Sequence, residues 1–241
     1  NRYLIENVKL SDFSWKVKLR IIAERFWFKL KLRNVDEFVV QSPCMKDLLE
    51  ELVRESGFSL DSDILNRNSI GLVNVLPFID DASDYARGVK TPKDVVDKQI
   101  DFVYVASGEP HKNHGRLVKA WIVLADQGLY PSLRLTLDRG ACSELVGWID
   151  EMIKCYGLNI ENSGSLCKND VWRLYGQCNA PIYPSTFESF GLPLIEARQA
   201  GLAIIASELD FVRDVVDPEQ SFDPLSSYSI AMAVKRFKGI G

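Results

Sequence analysis

No apolar run in the 241 residues approaches the roughly 20 needed to cross a bilayer as a helix, and the N-terminus has no signal-peptide pattern. Cysteine pairs at metal or redox spacing are missing too. Cys44, Cys142, Cys155, Cys167 and Cys178 are odd in number and form no CxxC, which excludes a disulfide framework and a cysteine zinc site. Reduced, mostly buried thiols are expected instead. Excess positive charge is also lacking: 29 Lys and Arg against 33 Asp and Glu leave a net charge of -4, so there is no global case for nucleic acid as a partner. Gly108 and Gly115 do not make GxGxxG, which counts against a dinucleotide oxidoreductase. Only two histidines occur. His111 and His114 have no carboxylate or thiol at ligand spacing, so loop-structuring roles are expected, with no metal and no cofactor.

What is present reads as a globular α/β protein. The length allows one large domain, or one domain plus part of another. The chain begins with Asn1 rather than Met, which predicts a piece of a longer protein. The first 35 residues differ from the rest: nine bases (Arg2, Lys9, Lys16, Lys18, Arg20, Arg25, Lys29, Lys31, Arg33) face only Glu6, Asp12 and Glu24. Phe13, Trp15, Phe26, Trp27 and Phe28 are interleaved with them. Such a segment can lie on an anionic membrane surface, or pack its apolar face on a neighbouring element. The alternating stretches KVKLR and FKLKL disturb a single helical stripe and leave both readings open.

Up to about residue 76 the pattern predicts a basic helix, a strand at EFVVQS (37–42), a helix over 44–56 closed by Gly57, and a strand at GLVNVLP (71–77). Pro77 and the run DDASDYARG (81–88) read as a connector. From residue 100 the rhythm becomes regular. Strands are expected at 101–107, 133–138, 158–160, 180–184 and 202–207. Helices lie between them: one carries Leu117, Ala120, Trp121 and Leu124 on one face, and another runs over 169–178 with Asn169 as N-cap. Further helices are predicted near 210–216 and 227–237. Alternation of this kind means βαβ units and a Rossmann-like, doubly wound parallel sheet. Ligands then sit beyond the carboxyl ends of the strands, which directs attention to loops 107–114, 138–142, 163–168 and 184–192.

The last loop is the richest. Gly191-Leu192-Pro193 reads as a helix start with Pro in its first turn, where the missing N–H costs nothing. Unpaired N–H groups and the helix dipole at such an end suit a phosphate. Glu188 before the helix and Glu196 within it can face one cleft, and carboxylates accept hydrogen bonds from sugar or ribose hydroxyl pairs. Two Glu residues eight apart are a weak signal by spacing alone; a surface Glu and a helix-start Glu steadied by the dipole would look the same.

The surroundings decide between them. APIYPSTFESFGLPLIEARQAGLAIIAS resembles the donor-binding motif of retaining glycosyltransferases of the GT-B fold, the large group 1 family. The match rests on Pro-Ser after a strand, Glu188, the turn Phe190-Gly191-Leu192-Pro193, Glu196-Ala197 and Gly201, and the following strand. It extends over about 100–225, from YVAS…PHKN to SFDP (221–224), while EFVVQS and NVLPFID look like the end of such an enzyme's first domain and its linker. The resemblance implies residues 1–78 as the tail of an acceptor-side domain and 79–241 as the donor-binding domain. It implies Glu196 on the ribose hydroxyls, Glu188 on the transferred sugar, and backbone N–H groups near Phe190, Gly191 and Leu192 on sugar or diphosphate oxygens. Lys112 would meet the diphosphate, and Ser165 and Leu166 would edge the base. Glu188 and Lys112 are the expected catalytic pair. Many members carry Gly-Arg where this chain has Ala106 and Ser107, so Ser107 is read as a hydroxyl donor and Lys112 is left nearly alone as a cation.

The implied reaction moves a sugar from a UDP- or GDP-sugar to a glycan or lipid-linked hydroxyl with retention, in polysaccharide or lipopolysaccharide assembly. A cytoplasmic location is expected, with peripheral attachment to the inner face of the membrane as a further option. The alternatives are a non-catalytic nucleotide-sugar-binding subunit of a two-chain transferase and a nucleotide-sugar epimerase.

Overall fold

The computed structural model describes residues 2–6, 15–60, 69–70, 73–76 and 99–240. The chain divides into two compact units, Asn1–Asp80 and Asp81–Gly241. The expected connector at 81–88 lies outside the described residues.

The first unit contains α1 (Arg2–Ile5), α2 (Trp15–Lys31), β1 (Phe38–Val40), α3 (Pro43–Glu55), β2 (Ser59–Leu60), β3 (Ser69–Ile70) and β4 (Val73–Val75). β1 pairs in parallel with β4, and β2 with β3. Ser42 caps α3 by accepting from the Met45 N–H, and Pro43 occupies the first helical position, where its ring angle is already helical. The face it buries is Cys44, Met45, Leu49, Leu52 and Val53.

In α2 the sequence's irregular pattern resolves into two apolar faces. Ile21 is buried with Val17 and Phe28 half-buried beside it, whereas Trp15, Leu19, Ile22, Phe26, Trp27 and Leu30 are exposed. At 100° per residue five of those six form one stripe, and Trp27 lies outside it, under Lys31. Lys18, Arg25 and Lys29 lie along one side of it, and Lys16, Arg20 and Lys31 along the other. KVKLR and FKLKL therefore serve two stripes rather than spoiling one.

The second unit runs β5 (Ile100–Tyr104), α4 (His114–Ala125), β6 (Leu133–Leu135), α5 (Ser143–Tyr156), β7 (Ile160–Asn162), α6 (Lys168–Gln177), β8 (Cys178–Tyr183), α7 (Leu192–Gln199), β9 (Ile205–Ser207), α8 (Asp210–Arg213), β10 (Gln220–Phe222) and α9 (Ser227–Phe237). Its six strands are all parallel, in the order β10-β9-β8-β5-β6-β7. The chain builds outward from β5 to β7, returns to the other side of β5, and builds outward again. This is the doubly wound, Rossmann-like sheet that the alternation predicts, and its order reverses between β5 and β8. Both faces are covered, so Phe102, Val103, Tyr104, Ile182 and Ile205 are completely buried. Each large apolar side chain so buried contributes about 1.5–3 kcal/mol.

Several boundaries differ from expectation, for local reasons. β7 starts at Ile160 because Leu158 is still engaged by the cap of α5: Gly157 is left-handed and the Leu158 N–H returns to the Ile153 carbonyl. α6 is capped at Cys167, not Asn169, which lies inside the first turn, and it stops at Gln177 because Cys178 is already paired in β8. Strand β10 has only Phe222 buried, too little apolar pattern to be read as a strand. The thiols are less buried than expected: Cys44 and Cys178 are buried, Cys142 is half-buried, and Cys155 and Cys167 are exposed.

Candidate functional site

Lys112 and Glu188 lie 76 positions apart, yet their side chains meet at 2.6 Å because β5 and β8 are neighbours and both residues follow the carboxyl ends of those strands. Both side chains are largely withdrawn from solvent, at 15% and 12% exposure. The loops carrying them are stitched together. Asn113 adopts a left-handed conformation at φ 62°, and its buried amide donates to the carbonyls of Pro184 and Pro224. Asn tolerates that conformation better than most residues. The backbone N–H of Thr186 donates to the His111 carbonyl at 2.9 Å.

Beneath the pair is a polar network within an otherwise apolar sheet end. Glu188 Oε1 accepts from Lys112 Nζ, from Ser185 Oγ at 2.8 Å and from the Tyr183 hydroxyl at 3.1 Å. The Tyr104 hydroxyl donates to the Lys112 carbonyl at 2.8 Å and lies 3.1 Å from Ser185 Oγ. Burial drives the phenol pKa values of Tyr104 and Tyr183 well up, so both are proton donors at neutral pH.

A cavity of about 370 Å³ opens beside Lys112 at the strand ends. Ser107, Lys112, Ser165 and Leu166, all expected site residues, line it. The loop 138–142 is expected at the site only as a loop; within it Asp138 and Cys142 line the same cavity, as does Thr136. Their signal was their place after a strand, since the strand predicted to Asp138 ends at Leu135. Asp138 is fixed by the N–H groups of Gly140 and Ala141. The Ser107 hydroxyl donates to Glu109.

Glu188, Phe190, Gly191, Leu192 and Glu196 are not among the cavity's lining residues, but Pro193, in the first turn of α7, is. Gly191 caps α7 at φ 79°, and a Cβ there would come 3.2 Å from the Leu194 side chain, so the turn calls for glycine. Phe190 is buried and Leu192 half exposed. Glu196 is half-buried; burial raises its pKa, and Lys168 opposes the rise.

The two histidines have other work. His114 is buried against Tyr104 at 4.8 Å between ring centroids, and burial lowers its pKa to about 4. His111 is edge-on to Phe187, its pKa lowered mainly by burial. Among the described residues no group of three or more His, Cys, Asp or Glu is arranged to hold a metal ion.

The second unit is matched by known proteins in sequence and shape. Residues 90–238 fit the family model described as glycosyl transferases group 1. The serotype-specific mannosyltransferase WbdA of Escherichia coli is 30% identical over 149 residues, which cover 58% of this chain and 18% of that protein. The O-antigen chain mannosyltransferase B of the same species is 30% identical over 116 residues, covering 47% and 30%. The chain thus spans less than a third of the length of these curated relatives. A glycosyltransferase from Rickettsia africae superposes with a TM-score of 0.67 at 17% identity, over 95% of this chain and 58% of that one. Anabaena HepE in complex with UDP and glucose gives 0.62 at 17%, over 96% and 59%. These superpositions mark the sheet as half of a GT-B fold. With a family model running from before β5 through α9, the chain belongs to the glycosyl transferases group 1 family.

Proposed function

We propose that the second unit holds the donor, a nucleotide diphosphate sugar, and that the full protein transfers its sugar to an acceptor hydroxyl with retention. One observation carries the reading: a cation, a carboxylate and a helix N-terminus converge at the topological switch point, beside a cavity of about 370 Å³. In this reading Lys112 and the first turn of α7 meet the diphosphate as it gains charge on departure. A charge-assisted bond of that type is worth about 1.5–3 kcal/mol. Ser107 donates a hydroxyl nearby, Ser165 and Leu166 edge the base, Glu196 takes the ribose hydroxyls, and Glu188 faces the sugar together with backbone at Phe190, Gly191 and Leu192. Glu188 and Lys112 are the catalytic pair. Residues 1–78 are the tail of the acceptor-side domain, and 79–241 the donor domain.

The curated relatives are named as mannosyltransferases, one of them for O-antigen, so a mannosyl donor and a glycan or lipid-linked acceptor in polysaccharide assembly are the first to test. Calorimetry with UDP, GDP, ADP and their sugars is the experiment. Binding of one diphosphate and its sugar is expected; no binding to any of them removes the donor assignment. Retention is read from the anomeric proton coupling of the product made by the full-length protein.

The exposed stripe of α2 favours a second proposal, peripheral attachment to an anionic membrane at the inner face. No helix among the described residues is long and apolar enough to cross a membrane, but five exposed apolar residues between two rows of bases fit an interfacial helix. Flotation with phosphatidylglycerol vesicles is expected to carry the chain, and a Leu19→Glu, Phe26→Glu variant should stay behind. Equal flotation of both would remove the proposal.

A further inference from the structure

The network under Glu188 raises a question about charge. Lys112 is bonded to Glu188, at 2.6 Å. If Lys112 serves the diphosphate, as the proposed donor site requires, its three N–H groups can touch both, but its single positive charge is then shared with a carboxylate that is only 12% exposed. A withdrawn carboxylate whose hold on its cation is weakened is costly unless other donors support it. Two do. Ser185 Oγ and the Tyr183 hydroxyl donate to the same oxygen, Oε1, at 2.8 and 3.1 Å.

Neither donor is free to wander. Tyr183 is 2% exposed and is held edge-on to Tyr104 at 5.8 Å. Ser185 is fully buried, and the carbonyls of Tyr183 and Ser185 are both gripped by the buried Ser207 hydroxyl. The hydrogens of a buried phenol and a buried hydroxyl must find acceptors, and the charged one is the stronger. We propose that Tyr183 and Ser185 are positioning residues: they hold Glu188 by Oε1 when Lys112 is drawn on by the diphosphate, so that the carboxylate keeps its charge and its aim at the transferred sugar. The inference rests on the donor-site reading and goes beyond it, since it assigns a role to two side chains that act through Glu188.

The test compares a nucleoside diphosphate with its sugar on the same protein. Calorimetry of the unmodified chain with UDP, GDP, UDP-glucose and GDP-mannose first identifies the pair that binds. For Tyr183→Phe the diphosphate should weaken, because either ligand draws on Lys112, and the nucleotide sugar should weaken about tenfold more, the loss of one hydrogen bond to the charged group that aims at the sugar. Ser185→Ala should move the same ratio in the same direction. A merely structural role would weaken both ligands alike. Equal weakening of the two, or an unchanged ratio, overturns the proposal. Should Tyr183→Phe fail to fold, Ser185→Ala decides alone. Failure of the unmodified chain to bind any diphosphate would remove the donor reading and this inference with it, whereas normal binding with an unchanged ratio in the variants removes only the inference.

Discussion

The loop before α7 and the helix itself carry one carboxylate each, eight residues apart, and the two live under different physical rules. Glu188 in the loop is held by three donors from β8, its following turn and the distant Lys112. Glu196, on the second turn of α7, is half-buried, its pKa raised by burial with only the Lys168 charge opposing. One carboxylate is fixed by tertiary contacts; the other is offered by a helix. Chemistry at a reacting sugar needs the first kind of rigidity, and recognition of a ribose diol can use the second.

The comparison can be broken most severely at Lys112. If Lys112 meets the diphosphate as proposed, Lys112→Ala removes that cation and takes one of its donors from Glu188, so diphosphate affinity should fall up to about a hundredfold by calorimetry. A fall below threefold would mean that the two loops work independently.

Acid should strike the Glu188 side through its scaffold. His114 packs on Tyr104, and its pKa is about 4 in the folded chain against 6.5 for an ordinary histidine. Between pH 6.5 and 4 the unfolded chain takes up a proton that the folded chain refuses. Stability is therefore intact above pH 6.5 and declines as pH falls toward 4, by on the order of 2–3 kcal/mol. His114→Leu should flatten that part of a urea-unfolding profile; an unchanged slope would assign the acid sensitivity elsewhere.

On the other side of the comparison, Glu196→Ala should weaken nucleotide binding about tenfold. A 2′-deoxynucleotide should already bind the unmodified chain more weakly, and the variant should no longer tell the two nucleotides apart. Continued discrimination would exclude Glu196 from the ribose. The smallest effect is expected at the joint between the two regions. Gly191→Ala places a Cβ in the left-handed region, 3.2 Å from Leu194, and should cost about 1–2 kcal/mol of stability, read as a lowered Tm.

Much of this was legible in the sequence. Apolar strands alternating with helices of one buried face can satisfy both patterns only in a layered parallel sheet, and the carboxyl ends of its strands are then the place for a ligand. Gly191 and Pro193 announced the start of α7, because the physics of a helix end is local. Lys112, Ser107, Ser165 and Leu166 were named from the resemblance, and all four line one cavity. Thr136, Asp138 and Cys142 carried no such local signature; their loop was identified only by following a strand.

What the sequence determined by itself is therefore the periodic and the local: the alternation of elements, the turn at Gly191, and a basic segment rich in aromatics. The tertiary structure alone decided which of those pieces meet. The strand order placed β5 beside β8, and so brought Lys112 onto Glu188 across 76 residues of chain. It also showed α2 to have two apolar faces rather than one spoiled stripe. Both outcomes depend on which surfaces are withdrawn from water once the chain is packed, and that is a property of the whole fold rather than of any short window within it.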